Sequence, residues 1–133
     1  MTAKRVVVTG LRPQARPPKP RAPRRGDIIL IDFSPAAGRE MLNPHPALVV
    51  SADDYNATFR MAVVLAISTV ANEARDNHFA VPLMGTGCTT TGVVIADRPR
   101  SLDLEARTWR LLETAPALVV EEATAILTQV IGL

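Results

Sequence analysis

Between Val93 and Asp103 the chain reads VVIADRPRSLD. Val93, Val94 and Ile95 are β-branched and predict a buried strand, opened by a bend at Gly92. A carboxylate, Asp97, follows at once, then Arg98 and Arg100 with Pro99 between them. A carboxylate can move protons, and a guanidinium fork can hold a phosphate. This trio at the mouth of a buried strand suits both tasks. It also suits a plain Asp–Arg pair that pins a turn, and the segment by itself leaves both readings open.

Other chemistry-bearing groups are sparse. His45 and His78 lack the spacing of a zinc site. Gly85-Thr86-Gly87 has the glycines of a phosphate cradle but neither the lysine nor the following helix of a P-loop, so a hairpin turn is expected there. Cys88 is the single cysteine, which excludes an internal disulfide and makes a reducing cytoplasm the default setting. Three Phe, one Tyr and one Trp in 133 residues are too few for a base-stacking sheet of the RRM or OB kind. The core must be aliphatic.

The formal net charge of +2 conceals an asymmetry. Residues 1–25 hold eight cations (Lys4, Arg5, Arg12, Arg16, Lys19, Arg21, Arg24, Arg25) and no acid. Residues 26–133 carry seven basic against thirteen acidic side chains, a net of −6. With five prolines and one short apolar patch, Val6–Val8, residues 1–25 cannot bury enough surface to offset their ordering entropy. They are expected to form a disordered, basic, Pro-rich arm, with one domain over residues 26–133. The arm lacks the apolar run of a secretory signal, and its prolines break any amphipathic transit helix. No apolar stretch approaches the ~18 residues of a membrane span.

Within the domain, Asp27–Phe33 predicts a first strand buried on both faces, with Ile28, Leu30 and Asp32 opposed to Ile29, Ile31 and Phe33. A polar loop over Gly38–Pro46 leads to a second strand at Ala47–Ser51, a turn and helix at Ala52–Ala57, and a third strand at Met61–Ile67. A fourth strand is expected at His78–Leu83. A short helical turn at Leu102–Arg107 and a last strand at Thr108–Leu112 precede a C-terminal helix that starts at Pro116. Val119, Ala123, Ile126, Leu127 and Val130 mark its apolar face, and Glu121 and Glu122 complement its dipole. Short strands, Gly/Pro turns and one terminal helix predict a small, strongly bent antiparallel sheet with helical additions.

Several of these segments together resemble the MazF/PemK family of toxin endoribonucleases, and most the PemK (Kid) branch. The block from Thr90 to Asp103, the Arg25-Gly26-Asp27-Ile28 opening, Asp32 to Glu40, His45 to Ser51, Asp54-Tyr55-Asn56 and Ser68-Thr69 carry the likeness. The resemblance spans Arg25 to Leu133. It implies a mainly β fold, the SH3-like small barrel shared with the gyrase poison CcdB, with a C-terminal helix and homodimers whose grooves lie near the interface. It further implies a toxin held by a cognate antitoxin protein, which cuts single-stranded RNA without metal or other cofactor.

The family's reaction is an internal transesterification. The ribose 2′-OH attacks phosphorus and leaves a 2′,3′-cyclic phosphate and a 5′-OH. It requires a base, an acid for the leaving oxygen, and positive charge for the phosphorane. By resemblance Asp97 matches the PemK base, Arg39 falls where PemK has a stabilising His, and Ser68 falls where the family has a catalytic-site Thr. His45 replaces an arginine on which MazF relies; an imidazole is the side chain that ordinarily titrates near neutral pH. Thr69, Asn77, Phe79, Thr91 and Val93 match RNA-contacting positions. Two departures stand out. Ile95 occupies the place of the arginine PemK uses as acid, and Arg98 replaces the usual Gln and is expected, with Arg100, to approach the phosphate. The alternatives are a catalytically impaired relative that acts by binding an antitoxin or other protein and, by fold analogy alone, a gyrase poison.

Overall fold

The computed structural model describes residues 21–34, 41–69 and 79–133. The expectations placed on residues 1–20, on Arg39 and on Asn77 lie outside the described residues. Within them, six strands form one antiparallel sheet: β1 Asp27–Asp32, β2 Pro44–Val49, β3 Met61–Ser68, β4 Ala80–Pro82, β5 Val93–Asp103 and β6 Trp109–Thr114. Their spatial order is β4-β5-β3-β2-β1-β6. Helix α1, Asp53–Phe59, joins β2 to β3, and helix α2, Ala117–Ile131, ends the chain. The antiparallel sheet and its terminal helix are the architecture expected from the sequence.

Period-two alternation sends each strand's apolar residues to two cores, one on either side of the sheet. Ile28, Leu48, Leu65, Ile67, Val94 and Ala96 meet Val119 and Ala123 of α2 on one side. On the other side, Ile29, Ile31, Phe33, Ala47, Val49, Val64, Leu102 and Leu104 pack together. Each such side chain, taken out of water, contributes about 1.5–3 kcal/mol before conformational entropy is counted. Of the predicted helix face, Val119 and Ala123 are buried and Ile126 and Leu127 partly so, but Val130 is exposed near the helix end.

The loop between β4 and β5 reaches across to the far edge of the sheet. There, on β6, the Glu113 carboxylate accepts hydrogen bonds from Thr89 and Thr90. β5 carries a bulge. Leu65 pairs with Pro99 while Ile67 pairs with Val94, so two steps along β3 are matched by five along β5. Ile95 stays paired with Ala80 of β4, whereas Asp97 and Arg98 pair with neither neighbour and are re-aimed, a device common beside functional sites.

Three predicted elements are corrected. β2 starts at Pro44 rather than Ala47. Pro44 and Pro46 pair only with β1, β3 joining from Ala47 onward, so their missing N–H groups break no ladder. The expected helical turn over Leu102–Arg107 does not form. β5 continues through Pro99 to Asp103, which buries Leu102 and Leu104, and Asp103 Oδ1 then accepts the N–H groups of Glu105 and Ala106 in a bend. In α2, Pro116 is the N-cap rather than the first helical residue, and Glu121 and Glu122 lie beyond the first turn.

Arg21 to Arg25, assigned by composition to the arm, are bound to the domain. Buried Asn56 of α1 donates to Pro23 O (2.9 Å), Arg25 N donates to Asp53 Oδ1 (2.8 Å) and Arg25 Nε to Val50 O (2.8 Å). Ala22 is buried. Backbone bonding to α1 supplies what this segment's own apolar content could not.

Candidate nucleic-acid site

The long loop between β1 and β2 leaves the sheet at Asp32 and returns at Asn43. Asp32 Oδ1 accepts the N–H groups of Ser34 (2.9 Å) and Asn43 (3.0 Å), and Arg107 Nη1 donates to the carbonyls of Asp32 (2.9 Å) and Ser34 (2.6 Å). The Ser34 hydroxyl and N–H, with the N–H groups of Asn43 and Leu42, pull the Asp32 carboxyl down to about 2 against burial, which pushes it up. Both ends of the loop are thereby fixed at the rim of a cavity.

That cavity has a volume of about 410 Å³. His45 and Asn43 come from β2 and the turn before it, Ser68 and Thr69 from the end of β3, and Arg98 and Arg100 from β5. Phe33, Pro46, Ala66, Ile67 and Ile95 supply apolar wall. The His45 ring stands edge-on to Phe33, centroids 5.5 Å apart, and the Arg100 guanidinium lies 5.2 Å from the same ring in cation–π geometry. One phenyl ring thus orients two side chains that can carry positive charge.

Asp97 sits beside this cavity, in the β5 bulge between Ile95 and Arg98. Its Oδ1 is buried and makes no hydrogen bond to the described residues. Arg98 Nε stands 4.0 Å away, and the Arg98 side chain is 67% exposed. A pair so long and wet contributes little stability. The turn-clasp reading of Asp97 therefore has weak support in the geometry.

A second cavity, about 500 Å³, adjoins the first through Ser68 and Thr69, which line both. Thr91, Gly92 and Val93 form one wall and Leu83, Met84 and Cys88 the other. Gly92 is required here: its φ is +119°, and a Cβ would stand 2.5 Å from Ser68 O. The hairpin turn at Met84–Gly87 holds Gly85 and Gly87 at positive φ, as a tight turn demands. Phe79 lies at the start of β4, 40% exposed, and its carbonyl accepts the N–H of Ala96.

Of the residues singled out from sequence, His45, Ser68, Thr69, Arg98 and Arg100 converge on one cavity, with Asp97 beside it, while Thr91 and Val93 line its neighbour. Sequence reading missed Phe33 and Asn43 as site residues. Their signal was their place at the two ends of the β1–β2 loop. Ile95 is 5% exposed and pairs with Ala80, so it closes the cavity wall with hydrocarbon. Among the described residues no three His, Cys, Asp or Glu converge, and no helix is long and apolar enough to cross a membrane.

Residues 24–131 match the family model described as PemK-like, MazF-like toxin of type II toxin-antitoxin system. The chain belongs to this family. Endoribonuclease PemK of Escherichia coli is 37% identical over 107 residues, 80% of each chain. Endoribonuclease toxin ChpB of Escherichia coli K12 is 40% identical over 100 residues, 74% of this chain and 85% of that protein. Among solved structures, MazF from Deinococcus radiodurans superposes with a TM-score of 0.71 at 33% identity, over 84% of this chain and 98% of that one. A MazE-MazF structure from the same organism gives 0.72 at 31% identity, with the same coverage. The match to the family begins at Arg24, in the segment that Asn56 and Asp53 bind to the domain.

Proposed function

We propose that this PemK/MazF-family protein is the toxin of a type II toxin–antitoxin pair and an endoribonuclease that cuts single-stranded RNA by 2′-OH transesterification, inhibiting translation and growth. The observation that carries the reading is the convergence of His45, Ser68, Arg98 and Arg100 on one cavity beside Asp97, in a chain 37% identical to endoribonuclease PemK. Asp97, its side chain 23% exposed beside the cavity, takes the 2′-OH proton. Among the residues lining the cavity, His45 carries the one imidazole, the side chain most often used for acid–base transfer, whereas a guanidinium does not release a proton. It protonates the leaving 5′-oxygen. Arg98 and Arg100 balance phosphorane charge, and the Ser68 hydroxyl donates a hydrogen bond. Arg39, on the β1–β2 loop, adds a further cation, and Asn77, Thr69, Phe79, Thr91 and Val93 hold flanking nucleotides. The step needs no metal.

Incubation with long mixed-sequence RNA in EDTA tests this. Fragments ending in 2′,3′-cyclic phosphate and 5′-OH are expected; intact RNA from pH 5.5 to 8 would sink the proposal. The apolar Ile95 in the cavity wall supports a second reading, a folded relative with little nuclease activity that acts by binding an antitoxin or other protein. The same assay separates the two.

The MazE-MazF structures among the neighbours support a cognate antitoxin as partner, and the single cysteine is in line with the cytoplasm as the compartment. Exposed Leu111 on edge strand β6, with Leu118, Val130 and Ile131 on α2, supports a homodimer. Light scattering at micromolar concentration should report twice the 14.3 kDa chain mass. The basic residues 1–20 and the folded domain form two functional parts, the first an accessory to RNA binding.

A further inference from the structure

Glu113 stands on β6, at the opposite edge of the sheet from β4. Its Oε1 accepts the N–H of Thr89 at 3.0 Å. Its Oε2 accepts the Thr89 hydroxyl at 3.0 Å, the Thr90 N–H at 2.6 Å and the Thr90 hydroxyl at 2.5 Å. The Thr90 hydroxyl first, and then the N–H groups of Thr90 and Thr89, draw the carboxyl from its ordinary 4.5 down to about 2, so at neutral pH the group is ionised and holds four donors. Surface glutamates rarely gather so many partners from one short loop.

The loop so gripped leads directly to the site. Two residues after Thr90, Gly92 passes so near the Ser68 carbonyl that a methyl group has no room between them, and the Gly92 carbonyl accepts the N–H of Leu83. One residue later Val93 pairs with Ser68. Ser68 and Thr69 form the wall common to both cavities. A displacement of Thr89 and Thr90 therefore passes through a junction with no slack to the partition between the two cavities.

We propose that Glu113 is a positioning residue for RNA: by holding Thr89 and Thr90 it sets the place of Gly92 against Ser68, and so the width of the groove that receives the nucleotides flanking the cut. The proposal rests on the ribonuclease reading for its substrate and on geometry alone for its mechanics. Glu113 touches no reacting atom. His45 lies on β2, and Asp97, Arg98 and Arg100 follow on β5 beyond the Val93–Ser68 pair, so the larger share of its loss falls on binding.

The test pairs two measurements on Glu113→Gln, with Thr90→Val as a milder variant should the first fold poorly. An amide at position 113 presents one acceptor oxygen and turns an NH₂ toward donors, so the Thr89 N–H bond to Oε1 is broken in one orientation and the three bonds to Oε2 in the other. In ¹H–¹⁵N spectra of the free protein, the amides of Ser68 and Thr69 are expected to shift. With a short RNA spanning the cut site, KM should rise about tenfold while kcat stays within about threefold of wild type. A KM within twofold of wild type, or unmoved Ser68 and Thr69 amides, would overturn the positioning role and leave Glu113 as a fastener of the sheet edge. Wild-type protein that leaves RNA intact would sink the ribonuclease reading instead, and the amide shifts would then decide the mechanical claim by themselves.

Discussion

Three carboxylates lie around the candidate site, and they fall into two kinds. Asp32 and Glu113 are fasteners: each accepts backbone N–H groups from a loop that frames a cavity, and each is pulled down to about 2 by those donors. Asp97 fastens nothing. It stands in a bulge with Oδ1 bonded to no described residue and an exposed arginine 4.0 Å away. The difference lies in backbone donors: Asp32 spends Oδ1 on two N–H groups although its buried Oδ2 has no partner among the described residues, whereas Asp97 stands in a concave, cationic setting without such ties. The contrast sets Asp97 apart as the candidate base.

The strongest way to break this division is Asp97→Asn. As the base, Asp97 should cost at least 10²–10⁴-fold in cleavage when neutralised, with the melting temperature within a few degrees of wild type. Wild-type cleavage by that variant in a gel assay, or a large loss of thermal stability, would move Asp97 into the fastening class. His45→Ala comes next, at about 10²-fold in kcat, and the acid role adds a signature: the alkaline limb of the pH–rate profile should disappear with the imidazole. A profile unchanged in shape would remove His45 from proton transfer.

Asp32→Asn should show the reverse pattern. Loss of its grip on Ser34 and Asn43 is expected to lower the melting temperature by about 5–10 °C in calorimetry, with a smaller effect on cleavage through a loosened His45 rim. The pH dependence of stability sharpens the point. Both fastening carboxyls have folded pKa values depressed below the ordinary 3.8 and 4.5, so the unfolded chain takes up protons first as pH falls. Their stabilisation is present above about pH 4.5 and is lost as pH descends toward about 2. Melting temperature should therefore decline through that window in wild type and decline less steeply in Asp32→Asn and in Glu113→Gln. Equal slopes in all three proteins would show that these groups do not fasten the fold.

The smallest effect concerns the basic N-terminus. Because Arg21 to Arg25 are tied to the domain, the informative truncation ends at Pro20 and removes Lys4, Arg5, Arg12, Arg16 and Lys19. It should weaken RNA association and flatten its salt dependence, by about 0.7 in the slope of log K against log salt for each phosphate no longer neutralised, without changing the cleaved motif. An unchanged slope would mean that these cations never touch the substrate.

Much of this was legible in the chain itself. Alternation in DIILID, ALVV and MAVVLAI dictates strands with two buried faces, because side chains on a strand point to opposite sides whatever the partner. The 3.6-residue spacing of Val119, Ala123, Ile126 and Leu127 dictates a helix with one apolar face for the same local reason. The Asp97-Arg98-Pro99-Arg100 run, its place after an apolar strand and its family resemblance were likewise present in sequence. Other features depend on which strand lies beside which. Pro44 and Pro46 became strand residues because β3 leaves their side of β2 unpaired, and β5 ran on to Asp103 before its bend because Leu102 and Leu104 reach a core built by distant strands. Glu113 looked like any strand-end acid until the fold carried Thr89 and Thr90 to it from 24 and 23 residues away. Local pattern sets which face of each element is apolar; only the closing of the sheet decides which carboxylates find backbone donors, because those donors come from segments far away in the chain.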